Sequence, residues 1–122
     1  MPHAVKPVKE LENRYSGNYY SRMATFHLDE YVADVLLRDL VGHDHSPAAF
    51  VVYLFLWRRT IGDRRKRVRL SHREIAQETG LSKSAVQHAL RILHRRKLVR
   101  SSLRHQTDTP EHEIARPWAG GS

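Results

Sequence analysis

Cysteine is absent from the 122-residue chain. Disulfide staples, thiolate metal sites and cysteine nucleophiles are therefore excluded, and the absence favours the cytosol, since small secreted domains commonly carry disulfides. Long apolar runs are missing as well. The longest, Ala48 to Trp57, falls well short of the ~20 residues that a spanning helix needs. The N-terminus lacks the charged, apolar and small-residue order of a signal peptide, so a cytoplasmic protein without a membrane partner is expected. No phosphate-binding glycine loop, nucleophile elbow or set of paired carboxylates occurs, and an enzyme is not expected. Nine histidines are present, His43 and His45 being the closest pair. Without a recognised ligand spacing they predict no metal, and no other cofactor is implied.

What is present is a block of positive charge. The chain carries 21 Lys+Arg against 13 Asp+Glu, a formal net charge of +8. Residues 1–57 hold five basic and seven acidic side chains, whereas residues 58–104 hold fifteen basic and three acidic, a local net of +12. A cationic centre between mildly acidic flanks is the footprint of a polyanion partner. An apolar share of 40% suffices for one modest core.

Residues 1–22, with Pro2, Pro7 and Gly17, have no sustained period and read as a flexible arm, although Tyr15, Tyr19 and Tyr20 could dock on a surface. Val32, Val35, Leu36 and Leu40 then recur at spacings of three and four, predicting a helix from about Asp29 to Val41 with Gly42 as its stop. Ser46 and Pro47 are a cap and a first-turn proline for a second helix. Its apolar face is read as Phe50, Tyr53, Leu54 and Trp57, and its end lies near Thr60 or Ile61. Val68 and Leu70, alternating with arginines, suggest a short strand. Ser71 and Glu74 have capping-box spacing, and Gly80 ends the short helix they open. Ser82 caps a fourth helix whose stripe is Val86, Ala89, Leu90 and Leu93. Leu98 to Leu103 and Glu111 to Ala115 read as strands joined by the polar turn His105 to Pro110, a hairpin that forms a wing.

The segment Arg73 to Arg91 meets the demands of two helices crossing steeply over a very short turn. Ala76 is the small residue at the crossing, Gly80 the turn residue that tolerates a left-handed backbone, Leu81 the buried turn residue and Val86 the apolar residue offered back. Ile75 and Leu90 fill the flanks. The stretch "LSHREIAQETGLSKSAVQHALRILHRRKLV" resembles the winged helix-turn-helix superfamily of bacterial DNA-binding proteins, over about Ser46 to Ala115. "SPAAFVVYLFLWRRT" also resembles the first helix of helix-turn-helix domains in phage and plasmid replication initiators. The resemblance implies a mainly α fold with a small β-hairpin, a three-helix core plus wing preceded by an extra N-terminal helix. The expected organisation is an arm at 1–22, a helix at 23–45, the winged domain at 46–116 and a tail at 117–122.

It further implies that helix 82–96 enters the major groove of double-stranded DNA. Lys83, Ser84, Gln87, His88 and Arg91 point away from its apolar stripe and are the base-contact candidates; Gln can pair with adenine and Arg with guanine. Candidates for phosphate are Arg64, Arg65, Lys66, Arg67, Arg69, Ser71, Arg73, Ser82 and Arg104, the two serines lying at helix N-termini. A solvated loop is the alternative reading of the arginine run, whose link to the strand before the motif favours phosphates. Arg95, Arg96 and Lys97 suit a helix C-terminus without any ligand. The apolar face of the N-terminal helix, Leu37 included, suits a homodimer on a two-fold site. A sequence-specific transcription regulator is the leading reading. A replication-initiator or plasmid-maintenance module is the alternative, and a winged helix for protein contact alone is the third.

Overall fold

The computed structural model describes residues 24–120; the expected arm at 1–22, with its three tyrosines, lies outside them. Helix α1 covers 30–43 and includes two stretches of π-helix, Val32–Leu36 and Asp39–His43. Its buried residues, Val32, Leu36 and Leu40, lie four apart. Four residues overshoot a full turn of α-helix, whereas the wider π-turn falls short of one. Mixing the two keeps the three side chains in one line. The wide turns also carry the helix through Gly42, whose backbone is not left-handed. His45, at φ 53, takes the left-handed position instead, so Gly42 is not the stop expected of it.

Helix α2, Pro47–Arg59, starts as predicted. The Ser46 hydroxyl accepts from the Ala49 N–H at 3.1 Å, and Pro47 occupies the first turn. Its buried residues are Ala49, Val52, Tyr53, Leu56 and Trp57, while Phe50 and Leu54 are half-buried. The buried face is thus rotated from the expected one. Ala48 to Trp57 is apolar all round, and periodicity has no phase to find in such a run.

After a 3-10 turn at Ile61–Asp63 come strand β1, Arg67–Arg69, helix α3, His72–Thr79, and helix α4, Lys83–Arg95. Strands β2, Val99–Ser102, and β3, Glu111–Ile114, form the hairpin, and a 3-10 turn follows at Pro117–Ala119. β1 joins the hairpin, giving an antiparallel sheet in the order β1-β3-β2. One core runs through all layers, from Val32 and Leu36 of α1, through Tyr53, Leu56 and Trp57, to Ile75, Leu90, Leu93 and Ile114.

Two clasps close the molecule. Asp29 serves as one of them: its carboxylate accepts from Trp118 Nε1 at 3.0 Å and Arg116 at 3.2 Å, while Trp118 stacks on Tyr31 with ring centroids 4.6 Å apart. At the other side, Arg96 donates through Nε to Asp44 at 2.7 Å. Burial works to raise the Asp44 carboxyl, but the hydrogen bonds from His43 and Arg96 and the Arg96 charge outweigh it and hold it below the usual aspartate value.

Candidate nucleic-acid interface

The turn between α3 and α4 is built by local chemistry. The Ser71 hydroxyl accepts from the Glu74 N–H, and the Glu74 carboxylate accepts from the Ser71 N–H, both at 3.0 Å. Gly80 closes α3 in the left-handed region at φ 83, its N–H donating to the Ala76 carbonyl. Leu81 is half-buried against the core, and Ser82 caps α4 by accepting from the Ala85 N–H at 3.1 Å. Ile75, Val86 and Leu90 are buried, with Ala76 packed against them.

Helix α4 therefore has a fixed roll. Val86, Ala89, Leu90, Ile92 and Leu93 face the core, which turns Lys83, Ser84, Gln87, His88 and Arg91 to the other side. At 100° per residue these five span roughly 140° of arc. Lys83, Ser84, His88 and Arg91 are exposed and Gln87 is half-buried. Ser84 shares a hydrogen bond with Ser82, Oγ to Oγ, at 3.2 Å.

Between the start of α3, the Lys83 side of α4 and the wing lies an open groove of about 500 Å³. Ser71, Arg73 and Lys83 line it from the helices, and Ser101, Gln106 and Asp108 from the wing. The structure thus brings Ser71, Arg73 and Lys83 together. Ser82 stands exposed beside them, and Arg104 is exposed in the wing loop.

The arginine run is divided. Arg67 pairs with Glu113 at 3.4 Å and Arg69 with Glu111 at 3.8 Å, as the register of β1 on β3 dictates. Burial acts to raise the Glu113 carboxyl, but the Arg100 hydrogen bond and the charges of Arg100, Lys66 and Arg67 prevail and lower it. Arg64, Arg65 and Lys66 precede β1, at the opposite end of that strand from Leu70 and the groove. Among the described residues Arg64, Arg65, Lys66, Arg73, Lys83, Arg91 and Arg104 make no ion pair, whereas Glu78, Glu111, Glu113, Asp39 and Asp44 all do. Arg96 is consumed by its clasp to α1, which explains it without a ligand.

Residues 61–102 match the family model of the IclR helix-turn-helix domain. The domain is a winged helix-turn-helix. The match supports a DNA-binding domain of a transcription regulator, and the matched residues run from the 3-10 turn through β1, α3 and α4 to the end of β2. No curated protein and no solved structure matches the chain. No helix among the described residues is long and apolar enough to cross a membrane, and no group of three or more His, Asp or Glu among them could hold a metal ion.

One constellation in the winged helix escaped the sequence. His112 of β3 is buried, and its ring lies in a hydrogen-bonded row with Ser101 and His94 along the groove. The alternation in Glu111, His112, Glu113 and Ile114 was the available signal, since it sets His112 on the same face as the buried Ile114.

Proposed function

We propose that this chain is a sequence-specific double-stranded DNA-binding protein that regulates transcription, with α4 reading the major groove. The observation that carries the reading is the unpaired cationic and amide face of α4, fixed in roll by the buried stripe opposite. Arg91 and Gln87 stand one turn apart on it and read base edges, Arg toward guanine and Gln toward adenine. Lys83, Ser84 and His88 border them. Ser71, Arg73 and Ser82 hold a backbone phosphate at the mouth of the groove, and Arg104 of the wing holds another. Arg64, Arg65, Lys66, Arg67 and Arg69 form a flanking group for phosphates beyond it.

The protein acts as a homodimer in the cytoplasm. Leu37 and Val41 of α1, one turn apart, are 42% and 37% exposed, and Tyr31 lies near the start of the same helix. Pairing of α1 with a second copy would cover them and present two reading helices to a two-fold site. No catalytic role is assigned.

The test is duplex binding by fluorescence anisotropy across a salt series. The reading expects affinity to fall steeply with salt, and Arg73→Ala or Arg104→Ala to flatten the slope by about one unit each. Affinity that is absent, or indifferent to salt, would leave the winged helix as a protein-contact module.

A further inference from the structure

The row beside the groove has a determined direction. His112 Nε2 lies 3.0 Å from the Leu70 carbonyl oxygen, and a carbonyl can only accept. The proton is therefore on Nε2, and in the neutral ring Nδ1 is a bare acceptor. Ser101 Oγ, 2.7 Å from that Nδ1, must donate to it. Having given its one proton, Ser101 can only accept from His94 Nε2 at 2.7 Å. The chain runs His94 to Ser101 to His112 to Leu70, and it joins the end of α4, both strands of the wing and the residue that enters α3.

We infer that His94, Ser101 and His112 are positioning residues that fasten the wing to α4 while His112 is neutral, and that protonation of His112 loosens the wing. A proton on Nδ1 turns that atom into a donor. Ser101 would then have to accept from it, and the row would stay whole only if His94 moved its proton from Nε2 to Nδ1 and accepted from Ser101 in turn. The new charge would also be buried, since His112 is 1% exposed.

The charges that act on the ring are those of His72 and His94, and the α3 carboxylate Glu74 is engaged by the Ser71 N–H. From α3 the ring is faced by His72 and from α4 by His94, while Arg73 and Lys83 line the same groove. Val68 opposes it on β1. Among the residues lining the groove Asp108 is the one carboxylate, at the wing's far end. Glu111 and Glu113 share β3 with His112 but point to the other face, where Arg69, Arg67 and Arg100 engage them. Burial, and then the charges of His72 and His94, push the His112 imidazole below its ordinary value despite the Leu70 hydrogen bond, which raises it.

The consequence for DNA rests on the proposed function, because a loosened wing cannot hold its phosphate. The test does not. Imidazole nitrogen shifts and wing amide protection are followed by NMR in the full chain as the pH is lowered from about 7.5 until the His112 ring is protonated. The expected result is the Nε2–H tautomer for His112, with protection of β2 and β3 falling about tenfold relative to α2 as that ring titrates. At neutral pH Ser101→Ala should lower wing protection to a similar degree while α2 is unchanged, and Ser101→Thr should restore it. Since Ser101 is exposed, neither variant threatens folding. A wing that stays protected while His112 titrates, or an Nδ1–H tautomer, overturns the inference. In the same samples, wing loosening without affinity for a duplex would sink the DNA reading and leave the relay standing.

Discussion

In the proposed function Arg91 and Gln87 do different work from Arg73 and Arg104, and substitution separates them. A bidentate contact to a base is lost only on the cognate sequence. Arg91→Ala or Gln87→Ala should therefore remove about 1–3 kcal/mol of discrimination between cognate and random duplex, measured as the ratio of the two Kd values. Arg73→Ala should weaken both duplexes alike, through the salt slope. Identical behaviour of the two kinds of variant would mean that α4 is not the reading helix. The outward five were legible in the sequence because the stripe of α4 is clean, with polar residues between its apolar positions. The pairing of Arg67, Arg69 and Arg96 was not, because their carboxylate partners come from elements far away in the chain.

At the scale of the element, the two glycines that sequence reading treated alike have opposite tests. Gly80 sits at φ 83, where an added side chain costs about 1–2 kcal/mol. Gly80→Ala should lower the unfolding free energy by about that amount in urea titration. Gly42 lies inside α1 with open space around the position of a Cβ, so Gly42→Ala should stabilise by about 0.4–1 kcal/mol. Caps and turns, such as Ser46, Ser71 with Glu74, Gly80 and Ser82, were readable because each is settled within four residues. The π-turns of α1, the phase of α2 and the joining of β1 to the hairpin are settled by packing across the core, and local pattern carries little of that.

The whole molecule should lose stability in acid in two stages. His72 and His94 are held below the ordinary histidine value, first by burial and then by the charge of Lys83 and of His72 respectively, and His112 lies below it as well. The unfolded chain thus takes protons first as pH falls past about 6.5, so stability is fully present above that value and declines below it. Asp44 and Glu113 are lowered too. Their contribution persists to lower pH and is lost only below the ordinary carboxylate range. Thermal midpoints should be level above about pH 7 and fall below about pH 6.5; a midpoint unchanged down to about pH 5 would contradict the histidine environments described. Assembly is tested at the same scale. For the proposed dimer, Leu37→Glu together with Val41→Glu should give a monomer in sedimentation without unfolding it, since both side chains are exposed in the single chain. The spacing of Val32, Leu36 and Leu40 made the inner face of α1 visible in the sequence, whereas pairing of its outer face with a second copy belongs to the proposed function.

The central claim is that the winged helix reads sequence in duplex DNA, and selection of the full chain from a random duplex pool at two salt concentrations tests it most directly. The account predicts recovery of a short motif at both, arranged as an inverted repeat with centres about one helical turn apart. Binding that selects no motif, or no binding at either salt, would contradict it.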